Sequence, residues 1–165
     1  MNPARGVLIV EDRAIVAGKV KRELERAGFV VAGMAASQEA AVGMAERLPL
    51  LAAVLDVDLR GQPVFPVAQA LRRRSVPFIF VTGYGAAALP HEWRGVHLVE
   101  KPFEPGGLIR CLGLAIEGRP AAAPADRVTT PAIRRAWDRM RQTRDLLTEQ
   151  RAWAEEHGFT KAPAD

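Results

Sequence analysis

Residues 6–12 read GVLIVED, a continuous apolar run that ends in two acids. A run of this kind is typical of a strand that is buried on both faces of a parallel sheet. Residues 13–27 then place apolar side chains at helical spacing, and Gly28 follows as a stop signal. The stretch therefore predicts a β-strand followed by an α-helix.

The same alternation of short apolar runs and longer amphipathic segments continues to residue 117. Strands are predicted over 29–33, 51–55, 77–81 and 96–99, and helices over 37–47, 64–74 and 105–117. Such alternation is typical of a parallel sheet with helices on both faces. We therefore predict an α/β fold, doubly wound around a five-stranded parallel sheet.

The segment between the fourth and fifth strands departs from this pattern. Residues 83–95 read GYGAAALPHEWRG, with three glycines, a proline and no apolar stripe at helical spacing. Glycine and proline both disfavour a helix interior. We therefore predict a loop or a single turn here, so that the fourth helix is reduced or irregular.

Composition limits the classes of protein to consider. The chain has 165 residues, 48% of them apolar and 25% charged, as in a soluble globular protein. Its net charge of +4 includes a tight basic run only at 72–74, which we interpret as a solvated helix end. The single cysteine, Cys111, lies among apolar residues and is expected to be a core side chain in a reducing compartment. No signal peptide or membrane-spanning run is apparent, so we expect a cytoplasmic protein.

The composition changes after Gly118. We predict a first domain over 1–118, a Pro/Ala linker over 119–130, an extra C-terminal helix over 131–158 and a disordered tail over 159–165. Thr130 and Pro131 suit the start of that helix. Its apolar face, formed by Ile133, Trp137 and Met140, predicts a possible homodimer contact.

Polar residues follow the predicted strands at the points where the strands end. Glu11 and Asp12 follow the first strand, and Asp56 ends the third. Thr82 ends the fourth, and Lys101 comes directly after the fifth. The carboxyl ends of parallel strands lie at one edge of a sheet, where ligands bind in doubly wound folds. We therefore expect these five side chains to lie close together.

These residue types suit phosphoryl chemistry. Three clustered carboxylates repel one another unless they hold a hard cation, and Mg²⁺ prefers carboxylate oxygens. A carboxylate beside such an ion can act as a nucleophile towards phosphorus. An ammonium ion from Lys101 and a hydroxyl from Thr82 could then neutralise and bind the transferred group. The set predicts a Mg²⁺-dependent phosphoryl site.

With these motifs in order, the sequence resembles the receiver (CheY-like) domains of response regulators over about residues 5–117. The matching stretches are VLIVEDR at 7–13, VLDVDL at 54–59, FVTGYG at 80–85 and EKPF at 100–103. The resemblance implies the flavodoxin-like strand order 2-1-3-4-5. It implies that Asp56 is the phosphoacceptor and that Mg²⁺ is bound by Glu11, Asp12, Asp56 and the backbone carbonyl of Asp58. It also implies that Thr82 and Lys101 contact the phosphoryl group and that the bond before Pro102 is cis.

The stretch PFIFVTGYG at 77–85 resembles more narrowly the receiver subfamily named for the motif PFxFATGY ("FAT GUY"). Val81 replaces the usual alanine of that motif. Leu98 stands where ordinary receivers carry an aromatic switch residue, three positions before the lysine. We therefore predict that Tyr84, together with Gly83, serves as the switch instead.

The resemblance implies a single-domain response regulator of a two-component phosphorelay. A sensor histidine kinase would donate the phosphoryl group, and a downstream protein would receive the signal by binding. We expect no enzyme activity beyond the domain's own phosphotransfer and autodephosphorylation, and no membrane contact. Two alternatives remain open: a nucleic-acid-binding regulator that uses the helix over 131–158, and a small Mg²⁺-dependent phosphohydrolase with Asp58 as its second acid.

Overall fold

The computed structural model describes residues 5–84 and 89–118. Its strands are β1 (Gly6–Val10), β2 (Val31–Ala35), β3 (Leu50–Asp56), β4 (Asp58–Leu59), β5 (Gln62–Pro63), β6 (Phe78–Thr82) and β7 (Leu98–Glu100). Its helices are α1 (Ala14–Arg26), α2 (Gln38–Arg47), α3 (Phe65–Arg73) and α4 (Gly107–Ile116), with a 3₁₀ turn at His91–Trp93.

Five strands form one parallel sheet in the order β2-β1-β3-β6-β7. Counted within that sheet, the order is the predicted 2-1-3-4-5. The α/β fold class, the parallel sheet and the strand order are therefore confirmed. The short antiparallel pair β4–β5, directly after β3, was not predicted.

Helices cover both faces of the sheet. All five residues of β1 and all five of β6 are buried, as expected for strands packed on two sides. On one face, buried side chains of α1 and α4 pack against alternate strand residues such as Val7 and Ile9. Side chains alternate between the two faces of a strand, so the remaining residues of β1 face the α2–α3 layer. The core explains why the strand sequences are apolar without interruption.

Two strands begin later than predicted. The predicted strand 29–33 lies at Val31–Ala35, because Gly28 ends α1 with a positive φ of 86° and Phe29 still donates to the Leu24 carbonyl. The predicted strand 96–99 lies at Leu98–Glu100, because the Val96 amide donates to the Trp93 carbonyl within the preceding turn. In both cases, apolar residues that the hydrophobic pattern assigned to a strand, Phe29 and Val96, form turn hydrogen bonds instead.

The basic run at 72–74 is exposed at the end of α3, as predicted, and two of its arginines also contact neighbouring elements. Arg72 places its guanidinium 4.0 Å from the centre of the Trp93 ring. Arg74 donates from one guanidinium nitrogen to the carbonyls of Ala45 and Leu48, at 2.5 and 3.0 Å. These carbonyls lie at the end of α2, where a cation and a donor are favourable. The interpretation as a solvated helix end is therefore confirmed, and Arg72 and Arg74 in addition join α3 to neighbouring elements.

The segment between β6 and β7 contains no α-helix among its described residues, 83–84 and 89–97. Its 3₁₀ turn buries Trp93 completely. The predicted reduction of the fourth helix is therefore confirmed for those residues. The predicted linker, C-terminal helix and tail over 119–165 lie outside the described residues. Within the described ranges, every helix is too short or too polar to span a bilayer.

Candidate functional site

Three acids meet at the carboxyl ends of β1 and β3. Glu11 and Asp12 directly follow β1, and Asp56 is the last residue of β3, the neighbouring strand. One oxygen from each of the three carboxylates lies within 4.8 Å of the others. Glu11 and Asp56 are buried, with 6% and 8% of their surface exposed, whereas Asp12 is half-buried. These three acids therefore lie close together, as the sequence predicted.

Lys101 bridges two of these acids. Its Nζ lies 2.6 Å from Glu11 Oε2 and 2.9 Å from Asp56 Oδ2. Its backbone amide donates to the carbonyl of Thr82, and the bond between Lys101 and Pro102, expected to be cis, is cis. Burial disfavours the ammonium ion, but the hydrogen bonds and charges of Glu11 and Asp56 outweigh it. The pKa of Lys101 therefore lies above its usual value, and the side chain is a cation at neutral pH.

The carboxyl group of Asp12 has a perturbed pKa. Its pKa is raised because burial disfavours the carboxylate and because Glu11 adds a hydrogen bond and a like charge. Arg60 opposes this shift, with its Nε 3.7 Å from Asp12 Oδ2. The metal-free site therefore holds its acids at an electrostatic cost that a divalent cation would relieve.

The donor set fits Mg²⁺. A hard cation of this size prefers oxygen ligands and takes a few carboxylates together with waters. The three carboxylates supply oxygens at suitable mutual distances, and Asp12 presents its side chain from the more exposed side. Asp58, whose carbonyl the resemblance assigns to the metal, donates its amide to Asp56 Oδ1 at 3.3 Å. Its own carboxylate accepts a 2.7 Å hydrogen bond from the amide of Gly61.

Thr82, Gly83 and Tyr84 follow one another at the end of β6. Thr82 is buried, and its Oγ1 accepts a 3.0 Å hydrogen bond from the amide of Tyr84. Tyr84 is 52% exposed, and an added Cβ at Gly83 would meet nothing within 4 Å. Leu98 lies on the adjacent strand β7, opposite Phe80. Thr82 is thus on the strand next to Asp56, while Tyr84 projects away from the packed core.

Sequence reasoning missed Arg60. It lies in the tight turn between β4 and β5, directly before Gly61. Gly61, after DVDLR, is a turn signal that could have indicated the hairpin. The approach of Arg60 to Asp12 joins residues 48 positions apart in the chain, and no spacing rule predicts such a contact.

Comparison with solved structures identifies similar proteins. SdrG from Sphingomonas melonis Fr1 is 32% identical, with a TM-score of 0.62, and the match covers 71% of this chain and 99% of SdrG. A response regulator receiver protein from Sinorhizobium medicae WSM419 is 25% identical, with a TM-score of 0.61 over 72% of this chain and 99% of the other. The receiver (REC) domain of the PhyR response regulator from Erythrobacter litoralis, at 24% identity and a TM-score of 0.61, covers 74% of this chain and 96% of that domain, and shares the fold.

No family model matches the chain, and no curated protein matches it. The structural neighbours nevertheless match along almost their whole length, and SdrG does so at 32% identity. The fold, the cluster of three acids and the similar structures all indicate the same family. The chain belongs to the receiver domains of two-component response regulators.

Proposed function

We propose that this chain accepts a phosphoryl group on Asp56 from a sensor histidine kinase. A carboxylate oxygen of Asp56 attacks phosphorus, a P–O bond forms, and the P–N bond to the kinase imidazole breaks as the imidazole leaves. The observation that carries the proposal is the 2.9 Å contact between Lys101 Nζ and Asp56, within a cluster of three carboxylates. A lysine beside a nucleophilic carboxylate can neutralise charge on the incoming group.

The roles of the neighbouring residues follow from their chemistry. Glu11, Asp12, Asp56 and the backbone carbonyl of Asp58 would hold Mg²⁺, which neutralises charge on the phosphoryl oxygens when it is bound. Lys101 would leave Glu11 and bind a phosphoryl oxygen. Thr82 would donate its hydroxyl proton to another phosphoryl oxygen, and because a hydroxyl can donate and accept at once, it can do so while its Oγ1 accepts from the Tyr84 amide.

The output is proposed to be a change in binding to a downstream protein. The PFxFATGY subfamily remains our narrower assignment, with Tyr84 and Gly83 as the switch. A movement of the Thr82 side chain towards the phosphoryl group would shift the acceptor of the Tyr84 amide and so alter the backbone that follows. SdrG, at 32% identity, has been solved in a BeF₃-activated conformation. BeF₃ bound to a carboxylate imitates a phosphoryl group, and this supports activation by phosphorylation here.

The remaining assignments are proposed on sequence alone. The protein works in the cytoplasm, performs no catalysis beyond its own phosphotransfer and autodephosphorylation, and has no membrane partner. A homodimer through Ile133, Trp137 and Met140 would use residues outside the described part of the chain, as would nucleic-acid binding by 131–158. A phosphohydrolase would need the Asp58 carboxylate as an acid, but that group accepts the Gly61 amide in a turn.

The test is intact-mass analysis after incubation with acetyl phosphate and Mg²⁺. We expect the wild-type protein to gain one phosphoryl group only when Mg²⁺ is present, and Asp56→Asn to gain none. Asp58→Asn is the matched control, because it removes an acid two residues away and keeps the backbone carbonyl; it should still be phosphorylated. Phosphorylation of Asp56→Asn at the wild-type level would contradict the proposal. Loss in Asp58→Asn with turnover of phosphomonoesters by the wild type would favour the phosphohydrolase.

A further inference from the structure

Arg60 belongs to none of the roles described above, yet its side chain reaches the acidic cluster. Its Nε lies 3.7 Å from Asp12 Oδ2. The side chain of Arg60 is 75% exposed and that of Asp12 only 14%. Arg60 therefore approaches the carboxylate of Asp12 from the solvent side.

The backbone around Arg60 is held in an unusual conformation. Arg60 and Gly61 are the two loop residues of the β4–β5 hairpin, and both have positive φ, at 50° and 91°. Two consecutive positive φ angles are typical of a type I′ turn, where asparagine or glycine is preferred in the first position. Arginine is unfavourable there, since its Cβ crowds the backbone. Its position suggests that the side chain has a function at this point.

The hairpin is fixed by hydrogen bonds on both sides. The Asp58 carboxylate accepts the amide of Gly61 at 2.7 Å, across the turn. The side-chain amide of Gln38, at the start of α2, donates to the carbonyl of Pro63 at 2.6 Å. The amide of Val64 donates to the carbonyl of Val57, closing the hairpin at its base. These contacts hold the turn that carries Arg60 beside the site.

Two cationic side chains of the same chain form ion pairs with the acids of the site. Lys101 pairs with Glu11 and Asp56, and among the described ion pairs Asp12 pairs only with Arg60. A divalent cation that bound the carboxylate of Asp12 would repel the guanidinium beside it. Arg60 and the metal therefore cannot both occupy the same side of Asp12 without cost.

We infer that Arg60 is an internal counter-ion that competes with the divalent cation for Asp12 and so lowers the affinity of the site. The inference rests on the proposed function, because it takes the three acids to be a Mg²⁺ site. Arg60 acts as a positioning residue: it orients the Asp12 carboxylate in the metal-free protein and moves away when the metal binds. A chain without this cation should bind Mg²⁺ more tightly.

The test is a calorimetric titration of the full chain with MgCl₂ at low ionic strength. Arg60→Asn removes the cation and suits the positive φ of the turn, so folding should be preserved. We expect it to bind Mg²⁺ about two- to five-fold more tightly than the wild type, the range for loss of one exposed ion pair. Arg60→Lys keeps the charge and should stay closer to the wild type. The difference should shrink at 0.5 M salt, which screens exposed charges.

Arg13→Gln is the matched control, since Arg13 is an exposed cation adjacent to Asp12 that makes no ion pair with it in the structure. An equal gain of affinity in Arg13→Gln and Arg60→Asn would indicate a general field and overturn the inference. So would unchanged or weaker binding in Arg60→Asn while the wild type binds normally. If the wild type itself bound no Mg²⁺, both the inference and the proposed metal site would fail. The rise in melting temperature on adding MgCl₂ provides a second readout, which should be larger for Arg60→Asn.

Discussion

At the scale of single residues, the site is an arrangement of like charges stabilised by two cations. Glu11 and Asp56 are buried and share the ammonium ion of Lys101. Asp12 has a weaker partner in the exposed Arg60 and a raised pKa. An acid with a raised pKa is less stable as a carboxylate in the folded chain than in the unfolded one. Without a bound cation, the Asp12 carboxylate therefore destabilises the folded protein at neutral pH.

Replacing Asp12 by asparagine tests this. We expect Asp12→Asn to raise the free energy of unfolding of the protein in EDTA by about 0.5 kcal/mol at neutral pH, because a like charge beside Glu11 is removed and solvent screens part of its effect. The same change should remove most of the stabilisation that Mg²⁺ gives. Urea denaturation with EDTA and with MgCl₂ measures both effects. Glu104→Gln, an exposed acid in the loop after Pro102, is the control. A less stable Asp12→Asn protein in EDTA would contradict the prediction.

At the scale of elements, the segment between β6 and β7 uses one side chain in place of a full helix. The Trp93 ring stacks on Phe65, with ring centres 5.8 Å apart and planes 9° apart. It also meets the edges of Phe78 and Phe80 and lies under the guanidinium of Arg72. The 3₁₀ turn thereby covers β6 with aromatic surface and links it to α3. A short turn can replace a helix here because one large side chain supplies the buried area.

Truncation of this side chain should therefore be costly. We expect Trp93→Ala to reduce the free energy of unfolding by about 3–5 kcal/mol, the usual range for a buried aromatic residue. Trp93→Phe should cost much less, because the ring contacts remain and the Trp93 Nε1 has no hydrogen-bond partner among the described residues. Urea denaturation followed by circular dichroism compares the three proteins. Equal losses for both variants would contradict the prediction, because the phenylalanine ring of Trp93→Phe would then preserve none of the stability that the ring contacts are expected to supply.

At the scale of the whole molecule, two groups make stability depend on pH in the alkaline range. Burial raises the pKa of the Cys111 thiol from its usual 9.0 to about 11. The pKa of Lys101 lies above its usual 10.5, since its bonds to Glu11 and Asp56 outweigh burial. In both cases the folded chain binds protons more tightly than the unfolded chain. Stability must then fall as the pH rises, and the loss begins near the unfolded pKa of each group.

This gives a prediction for alkaline unfolding. We expect stability to decline from about pH 9, with Cys111 contributing about 1 kcal/mol by pH 11, because solvent screens part of the effect on this half-buried thiol, and Lys101 adding its part above pH 10.5. Cys111→Ala should flatten the slope between pH 9 and 11, whatever its effect on stability at pH 7. Urea denaturation at a series of pH values measures the slope. An unchanged slope in Cys111→Ala would show that the thiol does not titrate as expected.

The sequence predicted the parts of the fold that depend on local chemistry. The start of α2 is an example, because Ser37 accepts the amide of Ala40 from within three residues. The apolar runs identified the strands, and the polar residues that follow them identified Glu11, Asp56 and Lys101 as neighbours. The predicted starts of β2 and β7 were two residues too early, because Phe29 and Val96 form hydrogen bonds in the preceding turns. Hydrophobic pattern alone does not report such turn hydrogen bonds.

By itself, then, the sequence determined the α/β class, the strand order through its resemblance to receivers, and the edge of the sheet where the acids meet. Its repeating pattern and the geometry of parallel strands are sufficient for that. Only the tertiary structure decided that Lys101 bridges Glu11 and Asp56, that Arg60 reaches Asp12, and that Trp93 fills the space beside β6. Those contacts join distant positions through side-chain length, backbone angles and packing, and no local pattern along the chain encodes them.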